Sequence, residues 1–275
     1  MTISIQSPAV QQWGKPDAKQ QILLIHGWGM NSGVWDDVAE NLTCHYADYL
    51  ITAVDLPGYG RSVSYDLDAL GGCYNAQSLA QSLIPLLHKK QTIIIAWSMG
   101  GLIAIELLHK QQSDGHEKHI TQLILVSSTP RFVQADDWKN AVEAQLFEEF
   151  SRSLVEDHEG TLKRFLALQT LGSRTAHDDI KQLEMQLIKR GKPQHKALEW
   201  GLKILLEEDK RIQLSQIADI PISLISGKLD TLVKLRSQQQ LAQQDNVTHY
   251  SIAAAGHAPF ISHAEEFKKI LSKII

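Results

Sequence analysis

Short apolar runs recur along the chain at residues 22–25, 51–54, 92–96, 123–126, 222–225 and 250–252. Most are bounded by Gly, Pro, Asp or Ser. A continuous apolar run, rather than an alternating one, is what a strand buried on both faces requires. Between these runs, residues 34–42, 76–87, 101–109 and 265–274 place apolar side chains three and four positions apart, the spacing of a helix with one buried face. Strands alternating with helices predict a doubly wound, mostly parallel sheet. Residues 2–13 are expected to add a short antiparallel hairpin at its edge.

One region breaks the alternation. From about Phe132 to Leu206 there is no strand pattern, only helical periodicity with breaks near Gly160, Gly172 and Gly191-Lys192-Pro193. An all-helical insertion between two strands predicts a cap over the sheet. The expected division is a core of residues 1–130 and 207–275 and a cap of residues 131–206.

Composition narrows the classes. The chain has 275 residues, 43% hydrophobic and 21% charged, with a formal net charge of -4. That suits a folded domain with a sizeable core and argues against a nucleic-acid binder, which is usually basic. No apolar run approaches a bilayer span, and the N-terminus lacks the basic and apolar regions of a secretory leader. A cytoplasmic monomer is expected. Cys44 and Cys73 lie in no metal-type spacing and are expected to be reduced thiols.

The chemistry concentrates at Thr92-Ile-Ile-Ile-Ala96-Trp97-Ser98-Met99-Gly100-Gly101, where a strand runs straight into a helix with a serine at the junction. Such an elbow lifts a serine hydroxyl above the sheet edge and demands small residues two before and two after it. Gly100 and Gly101 meet this demand on one side. On the other, Ala96 stands where glycine is usual. A serine hydroxyl needs a base, and the base needs an orienting acid. Asp230 closes Ile222-Ser-Leu-Ile-Ser-Gly-Lys-Leu-Asp230, just past a strand, and His257 follows the last strand in Ala255-Gly-His257-Ala-Pro-Phe260. The order Ser, Asp, His is that of the α/β-hydrolase fold. Trp28, in His26-Gly-Trp28-Gly after the first apolar run, and Met99, after the serine, are expected to supply the two oxyanion N–H groups.

Other motifs fail their own chemistry. In Pro57-Gly-Tyr-Gly60-Arg-Ser-Val63 a valine replaces the third glycine of a dinucleotide loop. His116-Glu-Lys-His119 has its histidines three apart, not the four of a zinc-binding helix. No metal and no cofactor are expected.

Taken together, Leu24-Ile-His-Gly-Trp-Gly-Met30, Asp55-Leu-Pro-Gly-Tyr-Gly-Arg-Ser62, Ala96-Trp-Ser-Met-Gly-Gly101, Arg164-Phe-Leu-Ala-Leu-Gln-Thr170 and Ala255-Gly-His-Ala-Pro-Phe-Ile-Ser-His263 resemble the pimeloyl-[acyl-carrier protein] methyl ester esterases of biotin synthesis. The likeness runs over almost the whole chain. Its first three motifs are widespread among α/β-hydrolases; the last two are more specific. The resemblance implies hydrolysis of the carrier-bound methyl ester to methanol and a free carboxylate. It implies substrate contacts from Trp28, Ser98, Met99, Phe165, Leu166, Ala167, Leu168, Gln169 and His257. It also implies a basic cap surface that docks an acidic acyl-carrier protein.

Two features of the sequence bear on this. Leu162, Phe165, Leu166 and Gln169 share one helical face, suited either to an acyl channel or to ordinary packing. Residues 160–192 carry seven Lys/Arg against three Asp/Glu, whereas residues 134–159 carry two against eight. Lys163, Arg164, Arg174, His177 and Lys181 are the expected docking residues. The family pattern is weakened, with His177, Lys181 and Gly160 at positions where arginine is usual. Lysine lacks arginine's bidentate fork. A general short-chain carboxylesterase, a perhydrolase-like enzyme and a non-catalytic ligand receptor on this fold remain alternatives at this point.

Overall fold

The computed structural model describes residues 7–70, 73–87, 91–113, 119–171, 173 and 175–275. Seven strands form one sheet: β1 (Val10–Gly14), β2 (Gln20–Ile25), β3 (Tyr49–Val54), β4 (Gln91–Trp97), β5 (Ile120–Val126), β6 (Ile222–Gly227) and β7 (Val247–Ile252). Their spatial order is β1-β3-β2-β4-β5-β6-β7. Every neighbouring pair is parallel except β1 with β3. All six expected apolar runs lie in strands. All of these strands but β6 reach further at their N-terminal ends, where polar residues such as Gln20 and Gln91 pair in the ladder and their side-chain amides bond at 2.9 Å. Of the edge hairpin expected over residues 2–13, the described residues show one strand, β1. It pairs antiparallel with β3, and the part of the expectation on residues 2–6 lies outside the described residues.

The helices are α1 (Asp36–His45), α2 (Ala76–Leu83), α3 (Met99–Ser113), α4 (Ala144–Glu156), α5 (His158–Thr170), α6 (Ala176–Arg190), α7 (His195–Glu207), α8 (Arg211–Ser215), α9 (Leu235–Leu241), α10 (Pro259–Ser262) and α11 (Ala264–Ile274). The helix expected over 76–87 starts at a capping box of Asn75 and Ser78 but stops at Leu83. Pro85 has no N–H to continue it, and a 3-10 turn over Ile84–Leu86 follows. Nearly the whole circumference of α3 is buried, because it lies against the sheet under α2 and α8.

Between β5 and β6 come α4, α5, α6, α7 and the short α8, with no strand among the described residues. The helical stretch starts later than expected. Residues 127–143 form an irregular arm held by isolated bridges between Val133 and Val142 and between Ala135 and Trp138. The break expected near Gly160 falls at Asp157, between α4 and α5, and Gly160 itself lies in the first turn of α5. The chain turns at Asp157, whose carboxylate accepts from the Gly160 N–H at 2.9 Å. A methyl group on Gly160 would come within 2.0 Å of that carboxylate, so the glycine serves the cap rather than ending a helix. Gly191, at φ 101°, does terminate α6. Gly172 lies outside the described residues.

The helical stretch is tied to the core at several points. Asn31 donates to the carbonyls of Gln186 and Gly191 at 3.2 and 3.3 Å. Arg190 is buried against Asp36 and donates to Ser32 Oγ at 2.6 Å. Where the chain leaves the core and returns, Lys210 N–H donates to the Pro130 carbonyl at 2.7 Å and Arg131 pairs with Asp209 at 2.7 Å. The two arginines beside Asp209, Arg211 and Arg131, outweigh its partial burial and hold its carboxyl down at about 2. Among the described residues no helix is long and apolar enough to cross a membrane.

Candidate active site

Ser98 stands alone between the last residue of β4 and the first of α3, at φ 54°. A left-handed backbone at a non-glycine residue is strained and persists only where its surroundings hold it. Those surroundings are tight. A methyl group on Gly100 would come within 2.6 Å of the His26 carbonyl, and one on Gly101 within 2.0 Å of Ser128 Oγ. Ala96 is fully buried between Ile25 and Leu125 in the sheet, so a single methyl group is accommodated there. Ser98 N–H donates to the Val126 carbonyl at 3.0 Å, and its own carbonyl accepts from Ser128 Oγ at 2.7 Å.

The three residues expected to act together are brought together. His257 Nε2 lies 2.9 Å from Ser98 Oγ, and His257 Nδ1 lies 2.9 Å from Asp230 Oδ2. The other carboxylate oxygen of Asp230 accepts from the N–H groups of Leu232 and Val233, both at 2.9 Å. That leaves Oδ2 aimed at the imidazole. All three side chains are buried, Ser98 at 1% exposure. Such an arrangement can deprotonate the serine, stabilise the imidazolium that results and return the proton to a leaving group.

Met99 is the first residue of α3, so its N–H has no acceptor within the helix and points out of the positive end of the helix dipole. Gly27 lies against the serine, where a methyl group would come within 2.9 Å of Ser98 Cβ. This sets the turn carrying Trp28 beside the hydroxyl. The turn is held by His26. Its Nε2 accepts from the Leu56 N–H at 3.1 Å, and its Nδ1 therefore donates to the Gly27 carbonyl at 2.8 Å. Burial depresses its pKa to about 4, keeping it neutral in that tautomer.

The Trp28 side chain reaches into the helical layer above. Its indole donates to the Leu198 carbonyl of α7 at 2.8 Å and meets Phe165 of α5 edge-on at 4.4 Å. Phe165, Leu166 and Gln169 are buried on the inner face of α5. The Gln169 carbonyl accepts from the His257 main-chain N–H at 3.1 Å. Ala167 and Leu168 turn the other way, into a groove of about 420 Å³ between α4 and α5. Five consecutive helical residues cannot share one face, so Phe165 meets Trp28, Leu166 is buried on the same side, the Gln169 main chain meets His257, and Ala167 and Leu168 face the groove.

Of the expected docking residues, Lys163 and Arg164 are exposed on α5, and His177 and Lys181 on α6. Arg174 lies outside the described residues. Three other basic residues of the 160–192 stretch are engaged, Lys189 and Arg190 with Asp36 and Lys192 with Glu159. The Pro57–Val63 segment forms a turn around Asp55. The Asp55 carboxylate accepts from Ser32 N–H at 2.7 Å and from Arg61 Nε at 3.1 Å. Gly60, at φ 50°, passes too close to that carboxylate for a side chain. The His116 motif lies mostly outside the described residues. No group of three or more His, Cys, Asp or Glu among the described residues is arranged to hold a metal ion.

Comparison with known proteins places this geometry. The model of the Alpha/beta hydrolase family matches residues 22–270. A pimeloyl-[acyl-carrier protein] methyl ester esterase from Aeromonas salmonicida is 37% identical over 96% of this chain and 98% of its own length. One of the same name from Photobacterium profundum is 37% identical over 96% and 97%. Among solved structures, a hydrolase from Oleispira antarctica superposes with a TM-score of 0.82 at 18% identity, covering 99% of this chain and 96% of that one. An esterase from Exiguobacterium antarcticum does so with a TM-score of 0.80 at 19% identity, covering 96% and 94%.

Proposed function

We propose that this chain, which belongs to the Alpha/beta hydrolase family, is a serine esterase that hydrolyses the methyl ester of a pimeloyl chain carried on acyl-carrier protein, as in biotin biosynthesis. One observation carries the reaction type: His257 bridges Ser98 Oγ and the Asp230 carboxylate with two contacts of 2.9 Å. The substrate follows from the relatives of that name, which cover nearly the full length of both chains.

In the proposed mechanism His257 Nε2 takes the Ser98 proton as Oγ attacks the ester carbonyl carbon. The N–H groups of Trp28 and Met99 hold the resulting oxyanion, each such donor being worth about 10²–10³-fold in rate. Collapse expels methoxide, which leaves as methanol with the proton from His257. Water, deprotonated by the same imidazole, then attacks the acyl-serine and releases the free carboxylate. Asp230 orients His257 and balances its positive charge without becoming protonated.

The reading divides the chain into a catalytic core of residues 1–130 and 207–275 and a cap of residues 131–206. Phe165, Leu166 and Gln169 line the acyl chain beside Trp28, and Ala167 and Leu168 contact the longer substrate at the groove between α4 and α5. The acidic carrier docks on Lys163, Arg164, Arg174, His177 and Lys181. The enzyme works as a monomer in the cytoplasm, a reducing compartment that suits the exposed thiols of Cys44 and Cys73.

The test is methanol release from the carrier-bound pimeloyl methyl ester, set beside hydrolysis of p-nitrophenyl esters. Preference for the carrier-bound ester, with turnover lost in Ser98→Ala, supports the proposal. Equal or better rates on the simple ester would replace it with a general esterase. Reaction of the wild type, but not Ser98→Ala, with a fluorophosphonate excludes a non-catalytic receptor.

A further inference from the structure

Resting on the proposed roles of Ser98 and His257, we propose that Trp97 is a positioning residue, holding the base by a hydrogen bond to its main chain while its ring packs beside the imidazole at 5.8 Å. The indole Nε1–H of Trp97 donates to the His257 carbonyl at 2.8 Å. From the other side the His257 N–H is held by the Gln169 carbonyl at 3.1 Å. The loop carrying the imidazole is therefore bracketed by one donor from β4 and one acceptor from α5. The side-chain contacts of His257 to Ser98 and Asp230 set the ring's direction. The bracket sets where the ring starts from.

Three further contacts make Trp97 suited to this work. It is joined to Ser98 by a peptide bond, so it fixes the base in the frame of the nucleophile itself. A methyl group on Gly27 would come within 3.2 Å of its ring, so the turn carrying Trp28 rests on the same indole. The ring packs edge-on against Phe260 at 5.1 Å, and Phe260 in turn stacks on Trp35 at 4.6 Å. The indole is fully buried and has little freedom to move its N–H. One rigid side chain thus locates base, nucleophile and oxyanion turn relative to one another.

The order of two variants separates this role from packing. Trp97→Phe keeps an aromatic ring and loses the donor. Trp97→His keeps a ring N–H but fills the space less well. If Trp97 positions His257, Trp97→Phe lowers kcat by about tenfold to a hundredfold, the cost of a small misplacement of a catalytic group. KM stays within about twofold, fluorophosphonate labelling of Ser98 slows in parallel, and Trp97→His retains more activity than Trp97→Phe. A folded Trp97→Phe enzyme with wild-type kcat, or one more active than Trp97→His, overturns the inference. A further measurement needs no variant. In the unmutated protein the Trp97 indole proton should exchange with solvent as slowly as the main-chain amides of β4, and exchange as fast as that of the partly exposed Trp200 indole overturns it. The outcome is distinct from failure of the esterase reading, which would show as full turnover by Ser98→Ala.

Discussion

Gly101 faces Ser128 so closely that a methyl group on it would lie 2.0 Å from Ser128 Oγ, the hydroxyl that donates to the Ser98 carbonyl at 2.7 Å. The glycine after the elbow is thus required by Ser128, two residues past the end of β5, not only by the turn. Gly101→Ala should lose about 1–3 kcal/mol of stability, the usual cost of overfilling a packed site, and should lower kcat by displacing Ser98. In a Ser128→Gly background the severe clash is removed, and the next neighbour, Leu125 at 3.1 Å, needs to yield only slightly. A double-mutant cycle by urea denaturation should therefore show a favourable coupling of about 1 kcal/mol or more. Strict additivity would mean that the two residues do not press on one another.

Asp230→Asn should lower kcat by about 10⁴-fold, by analogy with the serine-protease triad. An amide in place of the carboxylate can present its NH₂ to His257 Nδ1, favouring the tautomer that cannot accept the serine proton. Single-turnover acylation of Asp230→Asn at wild-type rate would remove Asp230 from the mechanism.

The strand ends and the order of Ser98, Asp230 and His257 were legible because each follows a continuous apolar run, and parallel strands deliver their C-terminal ends to one edge. What supports those residues was not legible. Trp97 occupies the unspecified position of the elbow motif, and its donor acts on a main-chain carbonyl 160 residues away. The Gln169 carbonyl belongs to a backbone group that every residue has. Asp36 and Arg190, 154 residues apart, meet only because α6 lies across the start of α1. The break near Gly160 is legible but its exact place is not, because a glycine that makes room for the Asp157 cap looks the same in sequence as one that ends a helix.

His26 should make the protein acid-labile. Its pKa is held at about 4 when folded, against an ordinary value of 6.5 when unfolded. Above pH 6.5 both states are neutral and it contributes no pH dependence. Between pH 6.5 and 4 the unfolded chain takes up the proton first. Stability then falls towards 1.36 kcal/mol per pH unit, on the order of 3 kcal/mol in all. Urea midpoints of the wild type and His26→Gln at pH 7 and 4.5 should differ in their pH dependence by about 2 kcal/mol. Parallel curves for the two proteins would show that His26 does not titrate with unfolding.

The two cations on Asp36 should be unequal. Arg190 is 9% exposed and Lys189 is 66% exposed, while Asp36 itself is 11% exposed. Arg190→Met leaves the carboxylate largely buried with a solvated lysine, which should cost about 3 kcal/mol. Lys189→Met should cost less than about 1 kcal/mol. Thermal denaturation of both variants checks the ranking, and equal losses would mean that the carboxylate is better hydrated than its burial indicates.

Charge reversal on the helical layer should separate docking from chemistry. Lys163, Arg164, His177 and Lys181 are exposed, while Lys189, Arg190 and Lys192 are engaged with carboxylates. A protein of net charge -4 repels an acidic carrier except where such a patch faces it. Arg164→Glu and Lys181→Glu should each lower kcat/KM for the carrier-bound ester by about tenfold at low ionic strength. The small p-nitrophenyl ester should be hydrolysed at the wild-type rate, because neither side chain lies among the groups around Ser98. The deficit should shrink as salt rises, since exposed charges more than about 10 Å apart are largely screened at 0.1 M ionic strength. A loss of equal size on both substrates would place the damage in the site rather than at the surface, and a loss unchanged by salt would point to packing rather than charge.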